Sequence, residues 1–181
     1  YKYYVFLEYM GSDFENDYDT FEKAIMESLD KGLVDDAVLG KDEKEQQNIW
    51  GIREDVAVLA EEKKFDQQFD ISIPVAQIGE VIDKTIIELR NCQGVETIFP
   101  FGHVADGNIH FIIGKDSDDD DLKSKINEII YSNTELVKGS ISAEHGIGLD
   151  KKKYLIKSRS KDEIELMRLI KKSIDPKNIL N

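Results

Sequence analysis

The chain holds three histidines in 181 residues, and two of them flank one Asp-Gly pair in the stretch FGHVADGNIHF, residues 101–111. Asp-Gly between extended, partly apolar residues is a strong hairpin signal, because a tight type I′ turn needs positive φ at both central residues. With Asp106 and Gly107 at the turn centre, Ala105 faces Asn108, Val104 faces Ile109, and His103 faces His110. Directly opposed residues of an antiparallel pair share a sheet face, with Cβ atoms about 5 Å apart. Neutral imidazoles that close can share a metal ion. A cross-strand histidine pair on a solvated face is the plainer reading, so the place of the third histidine carries weight.

That residue, His145, follows Glu144 and precedes two glycines in SISAEHGIG, residues 140–148. Ser140 to Ala143 reads as a short extended segment, and Gly146 and Gly148 allow conformations that residues with a Cβ avoid. Glu144 can complete a ligand set with His103 and His110. Two histidines and a carboxylate, with one position open, form a catalytic zinc arrangement. The same donors suit iron or manganese. His145 is then left to accept or donate a proton. Adjacent residues of a regular strand point to opposite faces. Glu144 and His145 can therefore serve one site only if the chain turns there, which Gly146 permits. The plain alternative is a glycine-rich connection with two exposed polar residues.

The motifs GHVADGNIH, SISAEHGIG and the terminal DPKNILN, in that order, resemble the C-terminal domain of FAD-linked oxidases of the vanillyl-alcohol-oxidase type. Within it the likeness is to the D-2-hydroxyglutarate dehydrogenase, D-lactate dehydrogenase and glycolate oxidase FAD-subunit branch. WGIRE (50–54) and FDISIP (69–74) add to a likeness that covers nearly the whole chain. The resemblance implies that His103, His110 and Glu144 bind a divalent metal, zinc before manganese or iron. It implies that His145 contacts substrate as general base, and that Arg53 binds the substrate carboxylate. The reaction it implies is hydride transfer from the α-carbon of a D-2-hydroxy acid to FAD. FAD is then held mainly by an N-terminal domain expected outside this chain. Residues 1–181 are expected to be one substrate- and metal-binding domain without redox turnover of its own.

These roles are chemically coherent. A divalent metal lowers the pKa of a bound hydroxyl, and a planar guanidinium matches a carboxylate in bidentate fashion. Without the resemblance, Arg53 reads as a helix-surface arginine paired with an acid such as Glu54. Gln68 stands where a lysine is frequent in relatives, Ala57 where some carry a hydroxyl residue, and Ile112 where some carry a polar one. Ala105 replaces a usual glycine. These departures leave the metal ligands intact and provide less well for a second carboxylate on the substrate.

A formal charge of −13 argues against nucleic acid or an anionic membrane as partner. No apolar run reaches membrane-span length and no signal-peptide pattern opens the chain. The start at Tyr1 suggests a piece of something longer. One cysteine, Cys92, excludes an internal disulfide and fits a reducing, cytoplasmic setting. The acidic run 116–121 reads as a solvated loop ahead of a helix. Neither a GxGxxG fingerprint nor a P-loop is present. The expected partners are the hydroxy acid, the FAD-binding domain and a second copy in a homodimer; the electron acceptor is left open. A stand-alone metal-binding module of structural or regulatory role is the main alternative, and a hydrolase with the same ligands a third.

The elements that must position these residues follow from periodicity. Tyr3–Tyr9 reads as a strand apolar on both faces, followed by a polar loop over residues 11–19. A helix from Phe21 closes at Gly32. Asp36–Leu39 reads as a short strand. A long helix over residues 43–62 starts at the N-cap Asp42 and carries Ile49, Ile52, Val56 and Leu59 as a stripe beside Arg53. Asp70–Ile73 is extended, and Pro74 opens a helix whose apolar face runs from Ile78 to Leu89. After the hairpin (96–114) come a helix from Leu122 to Val137 and a last helix. Ser160 and Glu163 form the capping box of that last helix, and Ile164, Met167, Ile170 and Ile174 its apolar side. All these stripes read as core. The order gives an α+β fold, an antiparallel sheet with helices packed on one face; the resemblance implies an elaborated ferredoxin-like version.

Overall fold

Alternation along Phe69-Asp70-Ile71-Ser72-Ile73 sorts apolar residues to one side of a strand and polar ones to the other. That sorting organises the sheet. The computed structural model describes residues 3–55 and 64–180. The chain divides into two units, Tyr1–Ala57 and Val58–Asn181.

The second unit contains a sheet of three strands, β1 (Phe65–Ser72), β2 (Val95–His103) and β3 (Asn108–Lys115), in the order β1-β3-β2. All pairs are antiparallel, with Asp70 opposite His110 and Phe101 opposite His110 from the other side. One face carries Phe69, Ile71, Ile109, Phe111 and Ile113, all buried. Against it pack two helices, which we label α3 (Ile78–Arg90) and α4 (Asp120–Leu136), through Val81 and Leu89 and through Leu122, Ile126 and Ile130. Each fully buried Ile or Phe contributes about 1.5–3 kcal/mol by leaving water. The other face presents Gln68, Asp70 and Ser72 beside Asn108, His110 and Ile112. Helices on one side thus leave the opposite side to the site, and the fold is α+β as expected.

The first unit holds α1 (Phe14–Asp30) and α2 (Glu43–Glu54). Asp42 caps α2 as expected, its side chain accepting from the Glu45 N–H at 2.9 Å. Gly32 follows the end of α1 at φ 64°. α1 begins earlier than the periodicity suggests, because Asp13 accepts from Asn16 N–H and supplies a cap inside the expected loop. Tyr3–Tyr9 is not a strand. Its side chains are exposed, and two of its aromatic residues meet rings of its own unit: Phe6 lies edge-on to Trp50 at 4.8 Å and Tyr9 stacks on Phe21 at 6.2 Å. A strand apolar on both faces needs a ladder and two covering layers, and among the described residues it has neither. Asp36–Leu39 likewise forms no strand. Val56, Ala57, Leu59 and Glu62 lie outside the described residues.

The last helix, α5 (Lys161–Ile174), starts at the expected capping box. Its apolar side is not core: Met167, Ile170 and Ile174 are exposed, as is Ile52 of α2. Amphipathic spacing fixes which side of a helix is apolar, but a covering layer must come from elsewhere, and no described residue supplies one. Pro74 sits just before a 3-10 turn (Val75–Gln77) that leads into α3, and its carbonyl accepts from Gln77 N–H at 2.8 Å.

Candidate functional site

The hairpin turn differs from the two-residue form. His103 pairs with Asn108, so Val104 to Gly107 form a four-residue loop. Only Gly107 among these takes positive φ, 77°. Asp106 uses its carboxylate to accept from Asn108 N–H at 3.0 Å, which stabilises the longer loop. The Gly107 carbonyl accepts from Ile73 N–H at 2.8 Å, and a Cβ on Gly107 would collide with the Ile73 carbonyl oxygen. The register therefore moves by two residues. His103 and His110 are diagonal neighbours rather than directly opposed. They still share a face, because strand faces repeat every two residues. Their ring centres are 5.9 Å apart at 83°.

The segment carrying Glu144 is anchored on β1. Ser140 forms a single bridge with Ser72, so the expected extended segment shrinks to that one contact. Beyond it the chain bends around Asp70. Its Oδ2 accepts from the backbone N–H groups of Ala143, Glu144 and His145, each at 2.9 Å. Successive N–H groups that converge on one anion make a nest. The bend meets the condition set by alternation: Glu144 and His145 both line one cavity.

Asp70 is fully buried. Burial works to raise its pKa, but the three N–H groups and the charge of Lys151 outweigh it and hold the carboxyl below its usual value. The Lys151 ammonium donates to Ser142 Oγ at 2.9 Å and lies 3.8 Å from Asp70 Oδ2. Burial pushes the Lys151 pKa down, against the opposing pull of Asp70. Ser142 Oγ in turn lies 2.8 Å from the Gly146 carbonyl and 3.2 Å from Asp70 Oδ2.

The structure brings His103, His110 and Glu144 together. One donor atom from each lies within 4.8 Å of the others, and His103 Nε2 is 3.8 Å from Glu144 Oε1. A tetrahedral zinc with ligands at about 2.1 Å spaces its donors roughly 3.4 Å apart, so small side-chain rotations close this set. Asp70, His110 and His145 likewise bring one donor atom each within 4.8 Å of the others. We assign Asp70 to the outer layer, because one of its oxygens is spent on the nest. The other, Oδ1, is buried without a hydrogen-bond partner and faces His110 Nδ1 at 3.8 Å. A carboxylate behind a histidine orients the ring and leaves its far nitrogen for a metal. Asn108 Nδ2 donates to Glu144 Oε1 and orients the third donor. His145 stacks on His110 at 5.6 Å and 26°. The donor set thus fits a divalent cation.

A shallow cavity of about 230 Å³ opens beside these groups, lined by His110, Glu144 and His145 and, further out, by Phe101, Ile112 and Gln68. Arg53 belongs to the other unit, where it pairs with Glu54 at 2.9 Å. Sequence reasoning overlooked Asp70, Asn108, Ser142 and Lys151. The available signal was Asp70 itself, an acid in the middle of the apolar run FDISI, where an unpaired charge would be costly.

A family model described as FAD linked oxidases, C-terminal domain matches residues 1–181. The chain is 36% identical over 180 residues to the mitochondrial D-2-hydroxyglutarate dehydrogenase of Arabidopsis thaliana, covering 99% of this chain and 32% of that protein. It is 33% identical over 181 residues to the mitochondrial D-2-hydroxyglutarate dehydrogenase of Danio rerio, covering 99% of this chain and 33% of that protein. To the D-2-hydroxyglutarate dehydrogenase of Stutzerimonas stutzeri (strain A1501) it is 33% identical over 167 residues, covering 90% of this chain and 35% of that protein. The chain therefore spans about a third of the length of these relatives.

Proposed function

The chain belongs to the C-terminal domain family of FAD linked oxidases, and from that premise we propose that it is the substrate- and metal-binding part of an FAD-dependent D-2-hydroxy acid dehydrogenase. Its partner in the full protein is then an FAD-binding domain. The observation that carries this reading is the convergence of His103, His110 and Glu144 from two distant segments, beside a cavity that His110 and Glu144 line.

In this reading His103, His110 and Glu144 hold a divalent metal, zinc, manganese or iron. When bound, the metal supplies a Lewis acid for the substrate α-hydroxyl, and FAD supplies the two-electron acceptor for the α-carbon hydride. His145 accepts the hydroxyl proton as the substrate becomes a 2-oxo acid. Arg53 takes the α-carboxylate. Asp70 and Asn108 act behind the ligands, holding His110 and Glu144 in place.

The test uses the full-length flavoprotein. Anaerobic addition of D-2-hydroxy acids is expected to bleach the flavin, and metal analysis to find one divalent ion per chain. Glu144→Gln should lose the ion. His145→Asn should keep it while the bleaching rate falls about 10²- to 10⁴-fold. A loaded protein whose flavin stays oxidised with every such acid would sink the proposal.

A further inference from the structure

The cavity is chemically lopsided. Its inner edge carries His110, Glu144 and His145. Its outer wall follows from register: Phe101 stands opposite His110, and Gln68 opposite Ile112. Two of these three outer side chains are apolar and the third is neutral. No lysine or arginine lines the cavity among the described residues. Gln68 turns its amide donor toward Asp66, at 2.8 Å, so the next charge beyond it is negative. Lys151 is tied to Ser142 and Asp70. A carboxylate placed against this wall would shed water, meet no lysine or arginine among the described residues, and lie on the side of Gln68 that faces the Asp66 carboxylate. A charge moved out of water without a partner is strongly disfavoured.

We infer that the outer wall, made by Phe101, Ile112 and Gln68, selects 2-hydroxy acids with one carboxylate and a short apolar side chain, and discriminates against 2-hydroxydiacids. This rests on the dehydrogenase reading above. The α-carboxylate is common to both classes, so the distinction falls on the outer wall. At about 230 Å³ the cavity is smaller than the roughly 300–1,000 Å³ of most ligand sites, which fits a small acid.

The experiment compares D-lactate, D-2-hydroxybutyrate and D-2-hydroxy-4-methylpentanoate with D-malate and D-2-hydroxyglutarate on the full-length flavoprotein. Flavin bleaching gives kcat/KM for each. Perturbation of the oxidised flavin spectrum gives Kd for the corresponding 2-oxo acids, independent of turnover. The monoacids are expected to lead by at least about tenfold in both measurements. Gln68→Lys is expected to narrow or invert that gap by raising the diacids about tenfold or more; the wild-type ranking stands without it. Diacids that bind and react as well as monoacids overturn the inference and leave the dehydrogenase reading intact. Failure of every acid in both assays overturns the dehydrogenase reading and the inference with it.

Discussion

Asp70→Asn removes one charge and almost no volume from a fully buried position. The carboxylate it replaces accepts three backbone N–H bonds at 2.9 Å and lies 3.8 Å from the Lys151 ammonium. A hydrogen bond to a charged group is worth about 1.5–3 kcal/mol net. Asparagine keeps one oxygen for the nest, so the bonds weaken rather than vanish, but the half-buried Lys151 is left without its counter-charge. Breaking a buried pair costs about 3–5 kcal/mol at the upper end. Lys151 keeps its contact with Ser142, which places the expected loss near 3 kcal/mol, a large part of the roughly 5–15 kcal/mol that holds a domain. A second effect follows from position. The same three N–H groups fix the bend that carries Glu144 and His145, and Oδ1 faces His110 Nδ1. On the metal site proposed above, loss of such an outer partner is expected to lower affinity for added zinc about 10- to 100-fold. Urea unfolding reads the first effect; metal retained after dialysis against graded chelator reads the second. A variant within about 0.5 kcal/mol of wild type that also retains its metal would refute the assignment of Asp70 as the anchor.

Two further outcomes follow from geometry. Gly107→Ala places a Cβ at φ 77° against the Ile73 carbonyl; the left-handed conformation alone costs about 1–2 kcal/mol, so unfolding should shift by at least that much, and a neutral effect would contradict the four-residue turn. Asp175 is held down to about 2 by its bond from Lys171 and by N–H groups of Ile179 and Leu180. Its folded pKa lies below the ordinary 3.8, so its contribution is fully present above that value and is lost as the pH falls toward about 2. Protection of the Ile179 and Leu180 amides, taken relative to their intrinsic exchange rates, should fall over that acid range before protection of the core Ile113 does, and a transition centred at 3.8 would contradict it.

Much of the site could be read from sequence because it depends on local rules. Asp-Gly between extended segments specifies a reversal, and a reversal brings His103 and His110 to one face whether the loop has two residues or four. The helix starts at Asp42 and Ser160 are readable for the same reason, since a cap needs only a side-chain oxygen and the next turn of backbone. The type-I′ expectation failed because Asp106 spends its carboxylate on Asn108 and Gly107 docks on Ile73, a contact 34 positions away along the chain. What only the tertiary structure decided is everything that joins distant segments. Glu144 and His145 point into one cavity because Asp70, on another strand, gathers their backbone N–H groups. The apolar stripes of α3 and α4 are core and that of α5 is exposed, although all three have the same spacing. Periodicity records which side of an element avoids water; whether another element covers that side depends on packing, which no local pattern encodes.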